Sequence, residues 1–159
     1  MSERAPRRRP KAAPETIGWR EWASLPDLGV KRVKAKIDSG AKTSALHAFK
    51  IRSIERYGAL WVEFAIHPIQ RQARPEIACT AEVIARRRIK SSNGAVEERF
   101  IIRTKLKLGA RSYPIELSLA NRDSMGFRLL LGRDALKKGF VIAPSRSYRL
   151  GEPKKRAPR

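Results

Sequence analysis

The stretch Ala35-Lys36-Ile37-Asp38-Ser39-Gly40-Ala41-Lys42-Thr43-Ser44-Ala45-Leu46-His47 decides how this chain is read. Ahead of the acid, Val33, Ala35 and Ile37 alternate with Lys34 and Lys36, the period-two pattern of a strand with one buried face. That strand delivers Asp-Ser-Gly into a tight turn. A carboxylate placed there sits at a rigid strand end. Gly40 lets backbone approach closely, and Ser39 offers a hydroxyl beside the acid. Alone, the tripeptide reads as an ordinary turn, because all three residue types favour turns.

Some ninety residues downstream comes Leu129-Leu130-Leu131-Gly132-Arg133-Asp134-Ala135-Leu136: an apolar strand, a glycine, then a helix expected over Arg133–Lys138 and stopped by Gly139. Between the two segments the pattern is that of strands. Leu60, Val62, Phe64 and Ile66 form one alternating row, Phe100, Ile102, Thr104, Leu106 and Leu108 a second, and Tyr113, Ile115, Leu117 and Leu119 a third. Asn93-Gly94 is a hairpin signal, since both positions tolerate positive φ. It joins a strand near Val83–Ile89 to a long one over 96–108, and Gly109-Ala110 turns into a strand over 111–119. Short strands with frequent turns and almost no helical signal predict an all-β barrel or sandwich.

At 159 residues and 42% apolar content the chain is long enough for one domain with an ordinary core. The formal net charge is +21. Residues 1–15 and 146–159 account for +3 and +5 of it, so most of the basicity belongs to the middle. Residues 1–15 read as a disordered basic arm, 16–150 as the folded domain and 151–159 as a basic tail. Such a field favours acidic partners, whether nucleic acid, an anionic surface or acidic peptides. The single cysteine, Cys79, excludes an internal disulfide and fits a reducing compartment. No apolar run reaches the length of a membrane span, and no apolar stretch follows the basic N-terminus as a signal peptide requires. A cytoplasmic protein with no membrane partner is expected.

The two segments, in this order, resemble the retropepsin-type aspartic peptidases, which pair an apolar–Asp–Thr/Ser–Gly–Ala loop with a later apolar–apolar–Gly–Arg–Asn/Asp turn and helix. More narrowly, Lys36 to His47 together with Lys90-Ser91-Ser92-Asn93-Gly94 is similar to the bacterial branch often labelled "ATP-dependent zinc protease". The resemblance spans roughly residues 16–150. It implies a small closed barrel with one short C-terminal helix, and Asp38 as the catalytic acid. It further implies dyad support from Ser39, Gly40, Ala41 and Thr43, a second loop of Leu131, Gly132 and Arg133, and a flap over residues 89–97 with Ser91, Ser92, Asn93 and Gly94 at its tip. Ser39 would bond across a two-fold axis.

Peptide hydrolysis by carboxylates needs two acids close enough to share one proton. One oxygen activates a water while the protonated partner polarises the scissile carbonyl. This chain has Asp27, Asp38, Asp123 and Asp134, and only Asp38 stands in Asp-Ser-Gly; Asp123-Ser124-Met125-Gly126 carries one residue too many. One copy of the motif cannot form a dyad in one chain, so the mechanism requires a homodimer with an Asp38 from each subunit. The sequence also departs from the retroviral pattern. Lys42 stands where those enzymes carry an acid that pairs with the arginine after the later glycine, so Arg133 must find another partner or face solvent.

No cofactor is expected. His47, His67 and Cys79 match no metal-ligand spacing. Ser39-Gly40-Ala41-Lys42-Thr43 lacks the contiguous Gly-Lys-Ser/Thr of a phosphate loop. His47 reads as a wall of the site or a strand residue facing water. Thr43 and Ser44 either contact substrate or bond the turn backbone. Cys79 reads as a small buried hydrophobe, and Trp19, Trp22 and Trp61 as core or interface anchors rather than base-stacking platforms. Lys31, Arg32, Lys34 and Lys36 fit the outer face of a barrel strand, and Arg86-Arg87-Arg88 a solvated strand or loop more readily than a phosphate site.

The expected activity is hydrolysis of peptide or isopeptide bonds, with an acidic peptide as the substrate that the charge favours. The alternatives are an RNA- or ribosome-associated protein that binds through its basic arms, and an inactive scaffold of the same fold. Phosphate neutralisation would make the former strongly salt-dependent.

Overall fold

In the computed structural model, which describes residues 13–90, 94–121, 126–137 and 139–153, the alternating rows become strands of one sheet that closes on itself. In chain order the strands are β1 (Glu15–Ile17), β2 (Arg20–Leu25), β3 (Val30–Ile37), β4 (Ser44–His47), β5 (Phe49–Arg56), β6 (Ala59–Ile66), β7 (Ile77–Lys90), β8 (Val96–Leu108), β9 (Arg111–Ala120) and β10 (Leu129–Leu131). A helix, α1 (Arg133–Leu136), and β11 (Phe140–Ile142) complete the chain order. Hydrogen bonds run β2-β3-β10-β4-β9-β8, and β8 returns to β2 through Ser24 opposite Lys107, so these six form a ring. The upper half of β8 pairs instead with β7, which carries β6 and β5 outward as a three-stranded extension. No helix of the described residues is long and apolar enough to cross a membrane.

The inward rows fill the ring. Val33, Ala35, Leu46, Leu106, Leu108, Leu117, Leu129 and Leu131 are fully buried, and Val62, Phe64 and Ile66 pack into the same core from the extension. Each fully buried Leu or Ile contributes about 1.5–3 kcal/mol relative to exposure. The outward row of β3 is basic, as its sequence predicts, with Lys31, Arg32 and Lys36 exposed and Lys34 half-buried.

Three expectations change. The helix ends at Leu136, two residues early. Lys137 takes the C-cap position, donating to the Arg133 carbonyl, and Gly139 with φ +90° turns the chain into β11. Phe100 is half-buried rather than in the inward row, while Arg99 and Ile101 are buried. The cause is a register shift opposite, between Val83 and Ala85, so the buried face changes sides where β8 leaves the ring for the arm that it forms with β7. The tryptophans are not core residues: Trp19, Trp22 and Trp61 are all half-buried, each with a cation over its ring.

The ends of the described chain are tied to the ring. β1 and β11 form a parallel pair. Glu21 is wholly buried, on the inward row of β2. Its carboxylate accepts the backbone N–H groups of Gly18 (2.6 Å), Arg149 (3.0 Å) and Leu150 (3.1 Å). A buried carboxylate is tolerable only with such donors, so this one acid fixes the path of residues 147–150 against β2.

Candidate active site

Asp38 follows the last residue of β3. Beside it lies β10, parallel to β3 through Leu129–Leu131 opposite Ala35–Ile37 and antiparallel to β4 through Leu129 and Leu130 opposite Leu46 and Ala45. The strand entering the Asp-Ser-Gly turn and the strand leaving it thus flank the strand that ends at Gly132. A short apolar run is required for β10, because it is enclosed on both edges. Leu129 and Leu131 are fully buried and Leu130 half-buried.

This wedge clasps the acid. The Asp38 N–H donates to the Leu131 carbonyl (2.9 Å), and the Ala41 N–H donates to the Asp38 carbonyl (3.2 Å). The carboxylate Oδ1 accepts the Gly40 N–H at 2.9 Å. From the other side the Arg133 N–H donates to the Ala41 carbonyl (2.7 Å) and the Asp134 N–H to the Lys42 carbonyl (3.1 Å). The Ser44 hydroxyl, buried, accepts the Gly132 N–H at 3.0 Å. Its own carbonyl accepts the Ser118 hydroxyl at 3.2 Å. Gly132 is required by space: a β-carbon there would lie 2.8 Å from the backbone of Ala41 and of Thr43.

Arg133 has found its partner. Its guanidinium donates to the Ser39 carbonyl at 2.9 Å, so a backbone oxygen of the turn stands in for the acid that Lys42 replaces. The second loop and the helix that follows it therefore hold the first through three backbone bonds and two that involve a side chain. Asp38 is half-buried, whereas Ser39 and Gly40 are exposed. Lys36 and Lys42, both exposed, flank the turn in sequence with positive charge, and exposed Arg133 adds its own from the second loop. Among the other described aspartates, Asp27 sits in the 3-10 turn Pro26–Leu28 and Asp134 pairs with Lys137 at 3.5 Å. The chemistry available to one copy is thus a single held acid at a surface turn.

The structure brings Asp38, Ser39, Gly40, Ala41 and Thr43 together with Leu131, Gly132 and Arg133. Ser91, Ser92 and Asn93 of the expected flap lie outside the described residues. Gly94 is described, exposed and at φ +84°, next to the β7–β8 arm. His47 corrects its expectation: it is fully buried, not at a wall or in water. Its N–H donates to the Arg128 carbonyl (2.8 Å), and its ring packs edge-on against Phe49 at 4.4 Å between centroids. Cys79 is a buried hydrophobe as expected, with Sγ donating to the Leu28 carbonyl at 3.4 Å and burial pushing its thiol up to about 11. Of the two roles open to Ser44, bonding to the turn is the one found. Sequence reasoning missed Glu21, although an acid in the row Glu21-Ala23-Leu25 was the available signal.

Comparisons with known proteins agree with this geometry. A family model described as RimB-like, retropepsin-like aspartic endopeptidase RimB, matches residues 16–153. A probable alpha-L-glutamate ligase of Shewanella halifaxensis (strain HAW-EB4) is 48% identical over 136 residues, which are 86% of this chain and 30% of that protein. One from Desulfotalea psychrophila (strain LSv54 / DSM 12343) is 48% identical over 143 residues, 90% of this chain and 31% of that protein. The chain therefore spans about a third of the length of these curated relatives. A crystal structure of a protein of unknown function from Legionella pneumophila subsp. pneumophila str. Philadelphia 1 superposes with a TM-score of 0.71 at 26% identity, covering 86% of this chain and 98% of that one.

Proposed function

The chain belongs to the RimB-like family of retropepsin-like aspartic endopeptidases, and on that premise we propose that it hydrolyses peptide or isopeptide bonds with a carboxylate pair completed by a second copy of itself. The observation that carries this reading is the Asp38 turn. It is one acid, gripped by the strand wedge from behind, with Ser39 and Gly40 exposed in front. A two-fold axis at that surface sets two such turns face to face. Two carboxylates about 3 Å apart hold one proton between them. The ionised oxygen takes a proton from water, and the protonated partner donates to the scissile carbonyl as the tetrahedral intermediate forms. The pair titrates as a unit. Arg133 and Ser44 are positioning residues, acting through the turn and not on the substrate.

The substrate is an acidic peptide containing glutamate. The net charge of +21 favours it. A region like this chain also makes up about 30% of proteins named for ligating glutamate, so a hydrolase that trims glutamate additions is a fitting companion activity. The basic surface carries a cost, since like charge opposes self-association, and acidic substrate bridging the two copies would offset it.

The test is Asp38→Asn. Hydrolysis of a fluorogenic peptide ending in a run of glutamates is expected to vanish, while the far-ultraviolet circular dichroism and the molar mass in solution stay unchanged. Full activity in that variant would refute the assignment.

A further inference from the structure

Besides the Asp38 turn, the described surface carries a second built feature, on the outer face of β2 and β3. The Arg20 guanidinium lies between two rings, 4.6 Å from Trp19 and 4.9 Å from Tyr148. Tyr148 meets Trp22 at 5.8 Å between centroids, and the Arg32 guanidinium lies 5.2 Å beyond Trp22. Lys34, directly opposite Trp22 in the ladder of β2 and β3, points its ammonium at both Trp22 (5.2 Å) and Tyr148 (5.9 Å). The order along the face is ring, cation, ring, ring, cation.

Most of this ladder borders a groove of about 910 Å³. Its walls hold Arg20, Lys31, Arg32, Lys34 and Arg71 and, among the described residues, no carboxylate. The nearby acid Glu152 meets Arg32 at 2.6 Å, and Arg20 also donates to the Ser147 hydroxyl at 3.2 Å. The rings are half-buried, so they keep part of their surface open.

Tyr148 shows that the ladder is constructed. It holds φ +51°, a left-handed conformation that a bulky aromatic residue adopts at a cost. Its N–H donates to the Arg20 carbonyl at 2.9 Å, and the next two N–H groups go to buried Glu21. The carboxylate thus clamps the chain just past the strained residue, and the tyrosine ring stays over β2.

From this alternation we infer that the β2–β3 face binds single-stranded nucleic acid. Successive bases stack on Trp19, Tyr148 and Trp22, with Arg20, Arg32 and Lys34 meeting the phosphates between them. Aromatic platforms interleaved with cations are the chemistry of sequence-tolerant single-strand binding. An acidic peptide would use the cations and leave the rings without a task, which is why the ladder favours a nucleic acid over the substrate proposed for the Asp38 turn. The site belongs to the folded body and needs neither basic end of the chain.

Fluorescence anisotropy with labelled oligouridylate tests this on the full chain, with oligoglutamate of equal length as competitor. Wild type is expected to bind in a salt-dependent manner and with quenching of tryptophan emission. Trp22→Ala should weaken binding about tenfold or more, as the loss of one stacked base does, and Trp22→Phe should restore most of it. Lys34→Gln should reduce the dependence of log affinity on log salt by about 0.7 for each phosphate no longer neutralised. The paired variant Arg103→Gln, Lys105→Gln on β8 should change affinity less than Lys34→Gln alone. Binding that is indifferent to both Trp22→Ala and Lys34→Gln overturns the inference, and so does oligoglutamate that competes as well as oligouridylate. If Trp22→Ala does not fold, the quenching and the Lys34→Gln salt slope decide between the same two outcomes.

Discussion

The clasp around Asp38 and the arm formed by β7 and β8 are both made of strands, yet different forces hold them. In the clasp β10 is enclosed between β3 and β4, its Leu129 and Leu131 face the core, and Ser44 satisfies Gly132 out of reach of water. In the arm the ion pairs of Arg86 and Arg87 lie in solvent. Arg87 meets Glu116 at 3.0 Å and Arg86 meets Glu98 at 3.9 Å, with all four side chains well exposed, while Ile84 and Val96 are 46% and 59% exposed. Exposed pairs are screened by salt and contribute about 0–1 kcal/mol, whereas buried hydrogen bonds are expensive to break. The difference teaches where precision is needed. The acid's position is over-determined, and the arm is left responsive to its surroundings.

The largest contrast should come from the glycines. Gly132→Ala drives a β-carbon into the Ala41 and Thr43 backbone, which has no flexible end to move aside, and should cost about 3 kcal/mol in urea unfolding. Gly94→Ala meets nothing within 4 Å and suffers only from its φ of +84°, for about 1 kcal/mol. Equal losses would erase the distinction between the two regions. Next in size, Ser44→Ala leaves the buried Gly132 N–H without its acceptor and should cost about 1–3 kcal/mol at any salt concentration. Glu116→Gln, removing the Arg87 pair, should cost under about 1 kcal/mol and nothing measurable in high salt.

Arg133→Gln sharpens the comparison from the side of activity. It removes an exposed bond to the Ser39 carbonyl, worth about 0.5–1.5 kcal/mol in stability. If the bond positions the catalytic turn, kcat should fall much further than that loss of folded population explains, with KM little changed.

The last effect is confined to alkaline pH. Burial pushes Cys79 from its ordinary 9.0 to about 11 and Tyr113 from 10.0 to about 12. The folded state therefore holds these protons more tightly than the unfolded chain, so stability falls as pH rises. It should be complete below about pH 9 and decline through pH 11–12. Tyr113 donates to the Ala135 carbonyl at 2.7 Å, so α1 behind the clasp should loosen in that window. Titration of Tyr113→Phe by chemical denaturation at each pH should remove its share of the decline.

Sequence patterning announced the ring wherever one strand face is apolar and the other polar, as in Val33-Ala35-Ile37 or Leu60 to Ile66. It failed where that contrast is lost. β5 reads Phe49-Lys50-Ile51-Arg52-Ser53-Ile54-Glu55-Arg56 and buries none of them fully, because it is the outer edge of the extension. β7 begins at Ile77 rather than near Val83: its first residues include Ala78, exposed, and Ala81, half-buried, so the same small apolar residue stands on both faces and the contrast is blurred. The change of face at Ile101 and Ile102 needs the register shift opposite, which one strand's sequence does not reveal.

At the site, the two segments around Asp38 and Gly132 were legible because their residue types are dictated locally: a turn, a close approach, an enclosed strand. The Arg133 to Ser39 bond was not, since it joins residues 94 apart through a backbone carbonyl, and backbone acceptors leave no mark in a sequence. The same holds for the Trp22 and Tyr148 ladder, which residue 148 joins only because Glu21 pulls the chain there.

The central claim is that two Asp38 turns make one catalyst, and subunit mixing measures it most directly. Wild type equilibrated with an equal amount of Asp38→Asn should keep about one quarter of the activity expected for an all-wild-type sample of the same total concentration, because only pairs with both acids work. Loss in simple proportion, with about one half retained, would mean that each chain acts alone and would contradict the account.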